Sequence, residues 1–193
     1  MKHMTGFAAV ACLGLAGCIG VDMDVEVLSD DTGRITGTFE MQRGMYEMAA
    51  AGGEGADFCD ESDGGTLELT EEKAICRIDR TGSFDELFEE DDDLDIPATV
   101  EPLGDGTVRV SIPLDDFADE EMDEMIEDPA MMAMFRPMLE GYTISFSVSG
   151  AEIISSNGEI SGDGRRATFS IPLTELIDQE IDLPEAFITE VRY

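Results

Sequence analysis

Val21-Asp22-Met23-Asp24-Val25-Glu26-Val27 leads through a turn at Ser29-Asp30-Asp31-Thr32-Gly33 into Ile35-Thr36-Gly37-Thr38-Phe39-Glu40-Met41. Both stretches alternate apolar and polar residues with a period of two. Successive side chains of a strand point to opposite faces, so each stretch predicts a strand with one apolar and one wet face. The short polar link makes them an antiparallel hairpin. The same alternation returns far downstream, where Tyr142, Ile144, Phe146 and Val148 are separated by Thr143, Ser145 and Ser147. Further strands are expected over residues 74–80 and 107–112, at Ile153 and Ile154, at Ala167, Phe169 and Ile171, and over residues 187–193. Asn157-Gly158 and Gly162-Asp163-Gly164 supply turns among them. Helical spacing appears between these strands. Met45, Tyr46, Met48 and Ala49 predict a short helix, and Phe84, Leu87 and Phe88 another behind Ser83 as N-cap. Leu114, Phe117, Ala118, Met122, Met125 and Ile126 share one face of a third. Local strands with helices inserted in blocks predict an α+β fold: a twisted, mainly antiparallel sheet of about five to seven strands with helices packed on one side.

Upstream of the first strand the chain opens with Lys2 and His3, continues through an apolar run at residues 7–15, and reaches Leu15-Ala16-Gly17-Cys18. A bilayer core of ~30 Å needs about 20 apolar residues, so this run is too short to span one. Small residues ending on a cysteine resemble the bacterial lipobox, in which the thiol is acylated and becomes the mature N-terminus. The expectation is a lipoprotein signal over residues 1–17 and one domain over residues 18–193, lipid-anchored at Cys18. The address is the bacterial cell envelope, with the domain in the periplasm or at the surface. Ile19, rather than Asp, after the cysteine favours the outer membrane.

The chain carries 45 Asp and Glu against 11 Lys and Arg, a formal charge of −34. Loss of residues 1–17 removes Lys2, the only histidine and no acid, and leaves Lys73 as the last lysine. Such a surface has no basic patch for nucleic acid or for anionic lipid heads. It is expected to be a solvated, salt-tolerant surface. Cys12 leaves with the signal and Cys18 takes lipid. Cys59 and Cys76 therefore remain, and in an oxidising compartment they read as a disulfide. Closing that loop contributes ~3 kcal/mol in the chain-entropy model.

Catalytic patterns are largely absent from the sequence. Without histidine, the mature chain has no Ser-His or Cys-His pair and no histidine zinc site. Asp31-Thr32-Gly33 spells the aspartic protease triplet but sits between Ser29-Asp30 and Arg34, where a turn accounts for it. A Ser-Lys arrangement would have to use Lys73. Asp60-Glu61-Ser62-Asp63-Gly64 lacks the EF-hand spacing, and Asp91-Asp92-Asp93 reads as a solvated charge run. No catalytic residue, metal site or cofactor is assigned. The methionines are the other surplus. Asp128-Pro129 opens an element in which Met131, Met132, Met134, Phe135, Met138 and Leu139 leave almost no polar face. Three uses remain open for it: core, apolar contact with lipid or protein over a cavity beneath residues 129–139, or a Cu(I) site of thioethers.

Ser111-Ile112-Pro113-Leu114 recurs as Ser170-Ile171-Pro172-Leu173, a repeated way of ending a strand, since proline removes a ladder donor. The lipobox, the acidic first strand, the Ser-Asp-Asp-Thr-Gly turn and the Met and Ala helix are followed by Ser149-Gly150-Ala151-Glu152-Ile153, Ser156-Asn157-Gly158 and Ala167-Thr168-Phe169-Ser170-Ile171-Pro172-Leu173. Together these resemble the LppM-type lipoprotein domain of bacterial envelopes, over most of residues 19–175. Phe169 stands where that pattern has Trp, and the C-terminal membrane helix of that pattern is not expected from these residues. The resemblance implies an α+β envelope domain in contact with lipid or glycolipid and carries over no catalytic residue. The expected function is a non-enzymatic, membrane-anchored module that binds lipid or organises the envelope. The alternatives are a protein-interaction adaptor and a Cu(I)-binding protein using Met131, Met132 and Met134.

Overall fold

The computed structural model describes residues 19–52, 58–59, 64–88, 98–114, 136–137, 139–178 and 181–193. The expected signal and Cys18, the expected amphipathic helix beyond Leu114, and Met131, Met132, Met134, Phe135 and Met138 lie outside the described residues.

The two alternating stretches form β1 (Ile19–Val27) and β2 (Thr32–Gln42), paired antiparallel from Ile19 opposite Met41 to Val27 opposite Gly33. Ser29 holds the turn between them. Its hydroxyl accepts from the backbone N–H groups of Asp31 and Thr32 at 3.2 and 3.1 Å. Chain reversal then gives α1 (Arg43–Gly52), β3 (Thr66–Leu69), β4 (Lys73–Ser83) and α2 (Phe84–Leu87). Ser83 caps α2 as expected: its hydroxyl accepts from the Glu86 N–H while the Glu86 carboxylate accepts from the Ser83 N–H, a complete capping box. β5 (Thr99–Gly104) and β6 (Thr107–Pro113) form a second hairpin. Its Gly104-Asp105-Gly106 turn has three successive positive φ angles, 86°, 53° and 73°, a run that favours glycine. The C-terminal part supplies β7 (Thr143–Ser149), β8 (Glu152–Ser156), β9 (Glu159–Ile160), β10 (Arg166–Pro172), α3 (Leu173–Ile177) and β11 (Ala186–Arg192).

Eleven strands among the described residues make two sheets. The larger has the order β3-β4-β2-β1-β7-β10-β9, antiparallel except where β1 meets β7. The smaller has the order β5-β6-β11-β8. The architecture is α+β, and the larger sheet has the expected size. Among the described residues the short α2 and α3 pack on its apolar face with Phe84, Leu87, Leu173, Leu176 and Ile177, and the second sheet shares that cover. The reason lies in β6 and β11, each with a buried apolar face of its own: Val108, Val110 and Ile112 on one, Phe187 and Val191 on the other. Side by side in the smaller sheet, they make one apolar face that closes on that of the larger sheet, and the two share one core.

The repeated tetrapeptide is a strand exit in both sheets. Pro113 ends β6 opposite Ala186, and Pro172 ends β10 opposite Thr143. The next N–H is captured by the residue just before the partner strand: Leu114 donates to the Glu185 carbonyl at 3.0 Å, and Leu173 to that of Tyr142 at 3.1 Å. Ile112, Ile171, Leu114 and Leu173 are all buried.

Candidate functional site

Two regions stand out. The first is the end of the larger sheet where β1 begins. Ile19 pairs with Met41, Gln42 with Lys73, and Val21 with Ile144, so this end also carries the start of α1, the β3–β4 turn and the approach to β7. Arg43 ties α1 to that turn: its N–H donates to the Glu72 carbonyl at 2.8 Å and its guanidinium to the Thr70 carbonyl at 3.4 Å. Arg43 also pairs with Glu47 at 2.8 Å, one helical turn on. Lys73 binds the Glu40 carboxylate and lies 5.7 Å from the centre of the Tyr142 ring. The hydrogen bond to Glu40 raises the Lys73 pKa above its usual value, the direction opposite to what a Ser-Lys base requires. A concavity of about 430 Å³ opens between α1 and the turn, lined by Arg43, Glu47, Leu69, Thr70 and Glu71.

Beside α1 the Cys59–Cys76 disulfide closes the loop read from the sequence, with Cα atoms 5.5 Å apart. Cys76 faces inward opposite Phe39, and Phe58 next to Cys59 meets the Tyr46 ring edge-on at 5.9 Å. The bridge thus pins the chain after α1 to β4. Leu139, the one described residue of the expected apolar contact group, is 4 % exposed and belongs to the core. The apolar cavity expected beneath residues 129–139 falls on a segment that lies mostly outside the described residues.

The second region is the polar face of the larger sheet. Register aligns Asp79, Thr36, Asp24, Ser147, Thr168 and Glu159 in one row across six strands. Ser147 and Thr168 share a hydrogen bond at 2.9 Å, and Ser145 and Ser170 one at 3.1 Å in the next row. Arg34 grips Asp79 with two bonds, 2.7 and 2.6 Å. At the centre, Asp24 is 7 % exposed, although the alternation assigns it to a wet face. Its Oδ2 accepts from the Ser149 hydroxyl at 2.9 Å and from Arg166 at 3.2 Å, while its buried Oδ1 has no partner. Burial pushes the Asp24 carboxyl up from its ordinary 3.8, Ser149 and Arg166 pull it down, and Glu26 and Asp22 push it up again; the net direction is upward. Strand order causes this burial: β1 is the fourth of seven strands, with neighbours on both sides. The sequence holds one signal for it. The strand that packs beside β1 carries serines rather than charges on its polar face.

The polar face ends at a corner where one continuous segment leaves the smaller sheet as β8 and enters the larger as β9. Asn157 substitutes for strand pairing there: its side-chain amide donates to the Ala186 carbonyl and its side-chain carbonyl accepts from the Ile188 N–H, both at 2.8 Å. A Cβ on Gly158 would stand 2.6 Å from the Thr168 carbonyl oxygen, so only glycine permits this crossing. Phe169 lies across the core from Phe187 at 5.9 Å. Asn157, Gly158 and Phe169, which belong to the stretches that carry the sequence resemblance, hold the two sheets together.

No protein-family model matches the sequence, and no curated protein matches it. Among solved structures, the NMR structure of the LppM folded domain from Mycobacterium tuberculosis matches with a TM-score of 0.53 and 9 % sequence identity, covering 100 % of this chain and 96 % of that one. The fold is LppM-like. At that identity the likeness is one of fold alone, and it agrees with the resemblance read from the hairpin and the Asn157-Gly158 corner. The LppM-like fold assigns no catalytic residue. Asp31 of the protease-like triplet is exposed in the β1–β2 turn, bonded to Ser29 at 2.6 Å, and is no buried catalytic carboxylate.

Proposed function

We propose that this chain is a bacterial envelope lipoprotein, acylated at Cys18, whose domain works by contact with lipid at its anchored end rather than by catalysis. The observation that carries the reading is the position of β1. It begins at Ile19, immediately after the lipobox cysteine, and is paired on both sides in the middle of the larger sheet. One residue spans at most ~3.6 Å, so an acyl group on Cys18 leaves no linker between bilayer and fold. A diacylated or triacylated cysteine holds firmly where a single chain is marginal, and a domain of this charge has no other electrostatic hold on an anionic membrane. The LppM-like fold and the sequence resemblance both support an envelope role.

The test is mass spectrometry of the N-terminal peptide together with membrane fractionation of cells expressing the full chain. The expected result is an acylated Cys18 peptide and a membrane-bound protein, with Cys18→Ala unacylated. An unmodified Cys18 in a soluble mature protein would overturn the reading. The adaptor alternative is favoured by one feature, the hydroxyl-rich face around Asp24, on which Ser145 and Ser170 reach the surface. Native mass spectrometry separates the two: co-purifying lipid supports the first, and a stoichiometric protein partner without lipid supports the second.

A further inference from the structure

We propose that α1 is an interfacial helix that lies in the membrane surface beside the anchor, with Met48 and Ala51 entering the boundary between headgroups and acyl chains. The inference rests on acylation of Cys18. Three observations carry it.

The first is position. Ile19 pairs with Met41, and α1 starts two residues later at Arg43. An acyl group one residue before Ile19 therefore brings the bilayer to the end of the sheet from which α1 departs.

The second is the side of α1 that the protein leaves uncovered. Met45, Tyr46 and Ala49 are half-buried against the rest of the molecule, whereas Gly44, Glu47, Met48 and Ala51 form the outward stripe at helical spacing. Met48 is 66 % exposed, more than any other large apolar side chain among the described residues. Leu69, on the neighbouring β3, is 44 % exposed and lines the concavity against α1. A flexible thioether suits the irregular apolar environment of lipid.

The third is charge. The chain carries 45 acidic residues in 193, but α1 has one acid and one base, Glu47 and Arg43, and they neutralise each other as an ion pair. With Lys73 bound to Glu40 close by, α1 and the strand end beside it carry their charges as ion pairs, while Glu71 and Glu72 of the β3–β4 turn are exposed and keep their hydration. The outer face of the smaller sheet is more heavily charged, with three acids to two bases: Arg109 sits there between Glu101 and Glu190, and Arg192 pairs with Glu152. The occupant that suits α1 is a phospholipid surface held against it by the tether. The affinity needed is small, because the anchor supplies the effective concentration.

Met48→Cys and, as control, Ile188→Cys on the outer face of the smaller sheet are made in the full chain, where Cys18 is acylated and Cys59 and Cys76 are bonded, and are labelled with an environment-sensitive fluorophore. The labelled lipoprotein is reconstituted into phosphatidylethanolamine and phosphatidylglycerol vesicles with and without a quencher on the acyl chains. The expected result is that the label at residue 48 shifts to the blue and loses about half its emission to the quencher, as for a helix within ~10 Å of the acyl boundary, while the label at residue 188 does neither. Adding Leu69→Asp to Met48→Cys is expected to weaken the quenching. A vesicle-bound protein whose residue 48 label stays in water would overturn the interfacial helix and leave the anchor standing. A protein that does not stay with the vesicles would overturn both.

Discussion

The two faces of β1 are made by the same seven alternating residues and have opposite fates. Met23, Val25 and Val27 enter the core between the sheets. On the other face Asp22 stays exposed, Glu26 is half-covered, and Asp24 is buried with one oxygen unpartnered. Apolar burial is collective, so these three inward positions behave alike, and Val21 at the strand's start packs against the same core partly covered. Polar burial depends on which strands flank a position and what they carry, so adjacent polar positions differ. Apolar contacts are non-directional and sum over area, whereas a buried carboxylate needs specific partners.

The comparison can be broken by substitution. Phe146, on the inner face opposite Met23 and Phe169, has the largest expected effect: Phe146→Ala lowers unfolding stability by about 3–5 kcal/mol in urea titration. Thr36→Ala, on the polar face, changes it by no more than ~0.5 kcal/mol, and equal costs for the two would remove the distinction. Cys59→Ser comes next, with a loss of about 3 kcal/mol from the seventeen-residue closure; chemical reduction of the parent protein should reproduce that drop. Ser147→Ala removes a buried hydroxyl and strands Thr168, for a loss of about 1 kcal/mol. A loss as large as that of Phe146→Ala would mean the polar face is as cooperative as the core.

Asp24→Asn is the most delicate. The folded-state pKa of Asp24 lies above 3.8, so the folded protein holds the proton to higher pH than the unfolded chain. The carboxyl therefore costs stability as pH rises from 3.8 through the folded value, and the cost is constant above that. Asparagine keeps an acceptor for Ser149 without the charge. The expected outcome is a Tm modestly higher than the parent at neutral pH, a gap that closes as pH falls toward 3.8. A gap that widens in acid would show that the pair with Arg166 outweighs burial.

Much of the fold can be read from residues. Ser83 with Glu86 announces α2, the Ser-Ile-Pro-Leu tetrapeptides mark both strand exits, and Cys59 with Cys76 gives the bridge. β5 is hidden in the sequence because Pro102 argues against a strand, yet an edge position tolerates it, and the Gly104-Asp105-Gly106 turn was its one signal. β3 and β9 are too short for periodicity to register. At the candidate site the cysteine that ends the signal-like run and the short helix after β2 are both apparent from the residues. The adjacency of Ile19 to the start of that helix is not, since it requires β1 and β2 to pair in the register that sets Ile19 against Met41.

By itself the sequence determines everything with a local cause: which faces of the strands are apolar, where helices are capped, the acidic surface, and the cysteine at the end of the signal-like run. The tertiary structure alone decides strand order, the second sheet that covers the first, the burial of Asp24, and the convergence of Ile19, α1 and the β3–β4 turn on one end. Periodicity tells a strand that it must hide a face. What hides it, and which polar neighbours come with it, is set by pairings between residues more than a hundred positions apart, such as Asp24 with Ser147.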